Sequence, residues 1–286
     1  MEKVGLYPGC SLKGSSREYG ESVVALARVL NLPLEEIKDW NCCGASSAHA
    51  VSKELSLALP ARILSLAASQ GYKELLVPCA ACFSRLKTAQ HHLKADDTLC
   101  KKIEDIIGAE VGGVKILSVM EWLEKYAIDA IKEKMTHPIK ARVACYYGCL
   151  LVRPTGVIKG DRVEDPQSLD NLVKLAGATP IDWAFKTECC GGGMSIAATE
   201  TVGKLSAAVL EDATHRGAKA IIVDCPMCHS NLDMRRPYIN KNMESPSAAP
   251  VLYITQLLGM ACGLTPDEVG VGRHFVNYKE EAICQK

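Results

Sequence analysis

The chain has no net charge: 33 lysines and arginines balance 33 aspartates and glutamates. A nucleic-acid groove or a polybasic membrane patch needs clustered positive charge, so neither is expected to dominate here. Long apolar runs are missing too, and none approaches the roughly 18–20 residues of a membrane-spanning helix. No leader of basic, apolar and small residues opens the chain. Met1-Glu2-Lys3 passes at once into a short apolar run, and the chain is expected to be soluble and cytoplasmic. Nucleotide motifs are lacking: there is no P-loop, and Gly191-Gly192-Gly193-Met194 does not have the GxGxxG spacing. Nor is there a CxxCxxC run of the ferredoxin kind. Electrons are therefore expected from a protein partner.

What the chain has in excess is cysteine, 14 in 286 residues. Ten of them form one five-cysteine pattern written twice. The first copy is Cys10, Cys42-Cys43 and Cys79-x-x-Cys82; the second is Cys149, Cys189-Cys190 and Cys225-x-x-Cys228. The intervening gaps are 31, 35 and 2 residues in the first copy and 39, 34 and 2 in the second. Both adjacent pairs run into glycine, Gly44 and Gly191. Both leading cysteines follow an aromatic and a glycine, and both CxxC pairs end an apolar run. The offset between copies is 139 residues at Cys10/Cys149 and 146 at Cys79/Cys225. This divides the chain into domains 1–136 and 137–286, joined near His137-Pro138. Hydrophobic residues make up 48% of the chain, enough for two cores without disulfide staples.

Patterning gives an α/β class with the cysteines at strand C-terminal ends, the edge where open α/β sheets bind ligands. Strands are expected at 3–7, 75–77, 116–119, 142–147 and 220–224. Ser15-x-x-Glu18 reads as a capping box opening a helix. Another helix begins after Gly44 and is interrupted at Pro60. Residues 92–104 are solvated helix or loop. A helix is expected over 168–176, then a plain connection over 179–183 and a long helix over 195–216. Cys225-Pro226-x-Cys228 is placed in a loop, and 252–264 is a strand-to-helix unit.

Each half offers five soft ligands. Four suffice for an iron–sulfur cluster or a structural zinc, leaving one spare; five would suit a larger or distorted cluster. Adjacent side chains diverge, so they fit two irons of one cluster better than one tetrahedral ion. Glycine after each pair lets the backbone approach a bulky sulfide-bearing group. Zinc in one half is the minor alternative. Native disulfides fit a reducing compartment poorly. Cys145 and Cys262 read as core thiols; Cys100 and Cys284 lie outside the pattern.

These residues resemble the CCG domain, named for its Cys-Cys-Gly signature. The first copy fits the family's spacing in every gap, and the second is one residue shorter in its middle gap. Two such domains filling the chain from Lys3 to about Leu264 are similar to the B subunit of heterodisulfide reductase. So are the runs at 146–154 and 225–233. The resemblance implies two Rossmann-like CCG domains related by internal duplication. It implies a noncubane [4Fe-4S] cluster on Cys10, Cys42, Cys43, Cys79 and Cys82, and another on Cys149, Cys189, Cys190, Cys225 and Cys228.

The implied activity is reduction of a mixed disulfide, such as that of coenzymes M and B in methanogenesis, to two thiols. The implied partners are an iron–sulfur C subunit and a flavin-containing A subunit, with a hydrogenase or formate dehydrogenase beyond them. The alternative is an electron-transfer subunit of a succinate, glycerol-3-phosphate or lactate:quinone system. An anionic substrate would want basic groups nearby, and Lys186, His229, Arg235 and Arg236 are candidates; the solvated-surface reading competes for the lysine and arginines. His229, directly after Cys228, is the candidate catalytic proton donor, set against a structural histidine.

Overall fold

The computed structural model describes residues 2–279 except Ser46 and Gly160. Two parallel four-stranded sheets carry the chain. The first is built from β1 (Val4–Leu6), β2 (Leu34–Glu36), β3 (Glu74–Leu76) and β4 (Lys115–Leu117), in the order β2-β1-β3-β4. The second, from β5 (Arg142–Tyr146), β6 (Thr179–Pro180), β7 (Ala220–Val223) and β8 (Val251–Tyr253), repeats that order as β6-β5-β7-β8. The central strands are apolar and buried on both faces, as parallel sheets require: Ala220, Ile221, Ile222 and Val223 are all fully buried.

Each strand is followed by a helix. In the first half these are α1 (Arg17–Val29), α2 (Lys53–Ser69), α3 (Ala80–Ala95) and α4 (Val119–Tyr126). In the second they are α5 (Ser168–Leu175), α6 (Thr199–His215), α7 (Pro226–Leu232) and α8 (Ile254–Ala261). The β-helix order is thus the same in both halves, as an internal duplication of a CCG-type α/β unit implies.

Several local expectations are corrected. Ser15 does not cap α1: the N-cap is Ser16, and its side chain makes no capping bond. Pro60 does not interrupt α2. Its ring is buried in the core face, and Asn41 Nδ2 donates to the nearby Leu59 carbonyl at 3.0 Å. Of the two readings of 92–104, the helical one holds: the stretch closes α3 and opens a helix over Asp97–Ile107 that Asp96 caps through Leu99 N–H at 2.9 Å. The connection at 179–183 contains strand β6, which pairs with β5. Its counterpart β2 is equally silent in the sequence. The second CxxC opens helix α7, with Pro226 at its first turn, where a missing N–H costs nothing.

The two halves share one continuous apolar core. They meet by crossing: α1 of the first half packs on α8 of the second, and α5 of the second packs on α4 of the first. Tyr19 stacks on Tyr253 with centroids 4.0 Å apart, and Ser22 Oγ meets Thr255 Oγ1 at 2.6 Å. Residues 265–276 then strap the second half to α1. Arg273 pairs with Glu21 at 2.9 Å. Gly270 lies so close that an added Cβ would stand 3.0 Å from Glu18 Cα.

Candidate functional site

Each half gathers its five pattern thiols at the C-terminal edge of its sheet. In the first, Cys10 follows β1, Cys42-Cys43 follows β2, and Cys79 caps the N-terminus of α3 after β3. In the second, Cys149 follows β5, Cys189-Cys190 follows β6, and Cys225 caps α7 after β7. Cys82 and Cys228 lie one turn into those helices and point back. Cys43 Sγ is 3.1 Å from Cys82 Sγ, and Cys190 Sγ is 3.6 Å from Cys228 Sγ.

The glycines have specific tasks here. Gly9 and Gly148 sit at φ +60° and +63°, the left-handed region. A Cβ on Gly9 would stand 3.3 Å from Cys82 Sγ, and one on Gly148 only 2.9 Å from Cys228 Sγ. Gly44 and Gly191, at φ +74° and +80°, turn their N–H groups onto Cys42 Sγ at 3.4 Å and Cys189 Sγ at 3.3 Å. Tyr7 OH donates to Asn41 O at 2.9 Å; its repeat mate Tyr146 donates to Glu188 O at 2.7 Å. Both carbonyls immediately precede the Cys-Cys pair, so the same phenol clamp positions both pairs.

The electrostatics suit bound thiolates. The Cys82 thiol, then the backbone N–H groups of Cys82 and Ala81, bring Cys79 down to about 7. In the second half the Cys228 thiol and then Asn231 bring Cys190 to about 7. Free N–H groups at a helix start favour negative sulfur in the same way. Cys149 is pushed up to about 12 by burial and then by Cys189, Cys190 and Cys225, which crowd the same charge into one place. Such crowding is relieved when the sulfurs share a cation-rich group. The donor set is all soft sulfur, and the glycines leave room beside it. The residues therefore fit an iron–sulfur cluster in each half.

Sequence reasoning does not single out Asn231. Its amide donates to Cys190 O at 3.0 Å and faces Cys190 Sγ at 3.6 Å. Ser11 Oγ likewise stands 3.9 Å from Cys79 Sγ. Both lie close to pattern cysteines in the chain, but nothing in their residue type marks them. Cys145 and Cys262 are buried away from the pattern, in β5 and just after α8; Cys100 is half-buried in the Asp97–Ile107 helix. Cys284 lies outside the described residues.

The basic candidates are placed differently from expectation. Lys186 is buried, 3.0 Å from Asp170 and 2.9 Å from Asp165. Arg236 is buried and donates to the carbonyls of Leu232, Ser247 and Ala249. Arg235 donates to Ser195 O. So Lys186 and Arg236 are structural, neither solvated charges nor free anion binders. His229 is also buried. Its Nε2 meets Val251 O at 3.1 Å, its Nδ1 faces Glu18 at 4.0 Å, and its ring stacks on Tyr253. Burial, then His274, hold it well below the usual histidine range, so the ring is neutral. Both nitrogens are turned to partners other than the thiols.

Comparison with known proteins agrees with this geometry. The model of the CCG cysteine-rich domain matches residues 4–87 and 143–233. The chain is 28% identical to the 8-methylmenaquinol:fumarate reductase membrane anchor subunit of Wolinella succinogenes, over 97% of this chain and 98% of that one. It is also 28% identical to the B subunit of the ferredoxin:CoB-CoM heterodisulfide reductase of Methanosarcina mazei, over 96% of this chain and 94% of that one. Among the described residues no helix is long and apolar enough to cross a membrane. In fold it resembles a hypothetical protein from Helicobacter pylori, with a TM-score of 0.74 at 11% identity; the match covers 97% of this chain and 52% of that one. With the domain found twice, over more than half its length, and each copy spanning the first three strands of one sheet with its five thiols, the chain belongs to the CCG cysteine-rich domain family.

Proposed function

We propose that the chain is the disulfide-reducing subunit of a cytoplasmic, heterodisulfide reductase-like complex. The observation that supports this reading is the convergence of five thiols, not four, at the same edge of two like sheets. Cys10, Cys42, Cys43, Cys79 and Cys82 would hold one [4Fe-4S] cluster, and Cys149, Cys189, Cys190, Cys225 and Cys228 the other. The noncubane form is favoured because the adjacent cysteines diverge: Cys42 and Cys189 are exposed, while Cys43 and Cys190 are buried. A four-ligand zinc or cubane site has no use for that fifth thiol.

Such clusters supply and accept single electrons. Cleaving one disulfide takes two electrons and two protons and yields two thiols, so two one-electron centres match the requirement. The electrons come from an iron–sulfur partner that a flavin subunit feeds, since the chain has neither a nucleotide motif nor a ferredoxin run. This chain's own groups hold the thiols in place. Tyr7 and Tyr146 fix the Cys-Cys turns, Gly9 and Gly148 keep the space clear, and the Gly44 and Gly191 N–H groups and Asn231 steady the sulfur charge. His229 enters as a packing partner of Tyr253, because its Nε2–H is committed to Val251.

A second reading is favoured by the quinol-linked relative: an electron-transfer subunit that passes electrons through the same ten cysteines without a disulfide substrate. Exposed Cys10, Cys42 and Cys189 suit contact with a redox partner. Two measurements on anaerobically purified chain decide. Iron, acid-labile sulfide and zinc are counted first; about eight iron and eight sulfide are expected for two four-iron clusters. About four iron with one zinc removes the paired-cluster reading. Reduced methyl viologen is then offered with a disulfide. Two thiols formed per disulfide support the first reading. Clusters that reduce but re-oxidise only with a quinone analogue support the second.

A further inference from the structure

The duplication creates two equivalent crevices between the halves, and among the described residues only one of them is closed by a strap. The α1–α8 crevice is sealed by the Tyr19–Tyr253–His229 stack. Outside that stack lies the 265–276 strap, with Arg273 on Glu21 and the N–H groups of Phe275 and Val276 on Asp233 at 2.7 and 3.1 Å. The repeat-related α5–α4 crevice has no such strap among the described residues. It holds a cavity of about 210 Å³ at the C-terminal edges of β4 and β5.

This cavity adjoins both thiol sets along the chain. Phe83, on its wall, directly follows Cys82; Tyr147 and Leu151 flank Gly148-Cys149. One wall is special to the second half. Eighteen residues, 150–167, separate Cys149 from α5, where only six, 11–16, separate Cys10 from α1. The longer loop supplies Leu151, Ile158 and Asp161. Asp161 is the loop's fastener: Oδ2 accepts from the Gln167 and Ser168 N–H groups at 2.6 Å each, and Oδ1 from Arg162 N–H at 2.7 Å. Against burial, these bonds hold its carboxyl below the usual range, so it stays ionised.

The charge on the lining has one sign. Glu121, Glu124 and Asp161 line the cavity, and among the described residues no lysine, arginine or histidine does. Lys87, 3.9 Å from Glu121 and 5.2 Å from the centre of the Phe83 ring, is a cation just outside the lining. The cations that an anionic substrate would need, Lys186, Arg235 and Arg236, are committed to carboxylates and carbonyls elsewhere. Phe83, Leu151 and Ile158 supply apolar wall, and uncharged polar groups such as Ser118, Gln167 and Asn171 complete it.

We propose that the α4–α5 cavity is the substrate entrance of this chain, and that it takes a small uncharged or cationic disulfide and excludes anionic ones. The nature of the bond rests on the disulfide-reducing reading above; the charge preference rests on the cavity alone. A carboxylate or sulfonate placed beside the exposed Glu124 and the half-buried Asp161 would meet like charge.

The test separates binding from turnover. Three redox-inert thioethers are offered to the full-length, cluster-loaded chain and followed by ligand-observed NMR: bis(2-hydroxyethyl) sulfide, bis(2-aminoethyl) sulfide and 3,3′-thiodipropionate. The first two are expected to bind at least about tenfold tighter than the dianion, on the scale of a single like-charge contact. Glu124→Gln should shrink that ratio, and Glu124→Lys should reverse it. Glu124 lies on the half-exposed face of α4, so both variants are expected to fold. Equal or tighter binding of the dianion overturns the proposal, as does an order that Glu124→Lys leaves unchanged. The matching disulfides are then tested with reduced methyl viologen. If none is reduced while the binding order holds, the cavity assignment stands and the disulfide-reducing reading fails.

Discussion

Tyr19 of the first half lies flat on Tyr253 of the second, with ring planes 3° apart and centroids at 4.0 Å. Its hydroxyl donates to Asp224, the residue before Cys225. One side chain thus joins the first helix of one repeat to the last strand of the other and to the approach of the second thiol set. This packing crosses the division proposed from sequence at residue 136, and the two halves share one apolar core.

Tyr19→Ala should therefore destabilise the whole chain. Loss of a fully buried aromatic costs about 3–5 kcal/mol. Tyr19→Phe keeps the stack but takes the tyrosine donor from the buried Asp224 carboxyl, which retains the Met120 N–H, at about 1 kcal/mol. Urea unfolding followed by tryptophan fluorescence and by circular dichroism checks both. Trp40 and Trp122 lie in the first half and Trp183 in the second, so coincident shifts in both probes are expected. A variant in which one probe moves and the other stays would show that the halves unfold independently.

Gly148→Ala is expected to empty one thiol set and spare the other. The substitution meets φ +63° and puts a methyl 2.9 Å from Cys228 Sγ. The left-handed backbone costs about 1 kcal/mol, and a ligated sulfur is not free to step aside. On the twin-cluster reading, iron per chain falls by about half. Gly9→Ala, with 3.3 Å to Cys82 Sγ, should be milder. Unchanged iron and sulfide in Gly148→Ala would remove Cys228 from the ligand set.

The legible part of this molecule is whatever the chain repeats or buries outright. Val223 and Leu76 end apolar runs, so β7 and β3 and the CxxC after each are readable. Strands β2 and β6 are not: Leu34-Glu35-Glu36 and Thr179-Pro180 lie at sheet edges and carry no apolar alternation, so only pairing defines them. Pro60 misleads because a helix can carry a proline where its ring packs into the core, as this one does, and that packing is a tertiary matter. Lys186 misleads for a similar reason. Its partner Asp170 is 16 residues away in sequence, and composition near Cys189 gives no hint of burial.

Stability should fall on acidification from about pH 6.5 toward 4. Burial holds His274 down to about 4 from its ordinary 6.5, and His229 is displaced the same way. The folded state thus binds the proton less readily than the unfolded chain. Its stability is complete above the unfolded pKa and is lost as pH drops toward the folded one. For His274 the swing is about 3 kcal/mol across that window. Denaturation midpoints of wild type and His274→Gln, taken from pH 7 to 4, should converge at the acid end. Parallel curves would show that His274 does not titrate in this way.

Lys186→Met should be among the most damaging single changes outside the thiol pattern, for a reason unrelated to substrate charge. Burial alone would lower the lysine's pKa, but the pairs with Asp165 and Asp170 outweigh it and raise the net value. Deleting the ammonium leaves Asp170 buried, with Tyr147 OH as a remaining donor at 2.6 Å. Breaking one side of a buried pair costs about 3–5 kcal/mol. Replacing both, as Lys186→Met with Asp170→Asn, removes the orphaned charge and should recover part of that loss. If the double variant is as unstable as the sum of the singles, the two groups are not coupled, and the buried pair is not what holds α5 against the approach to Cys189.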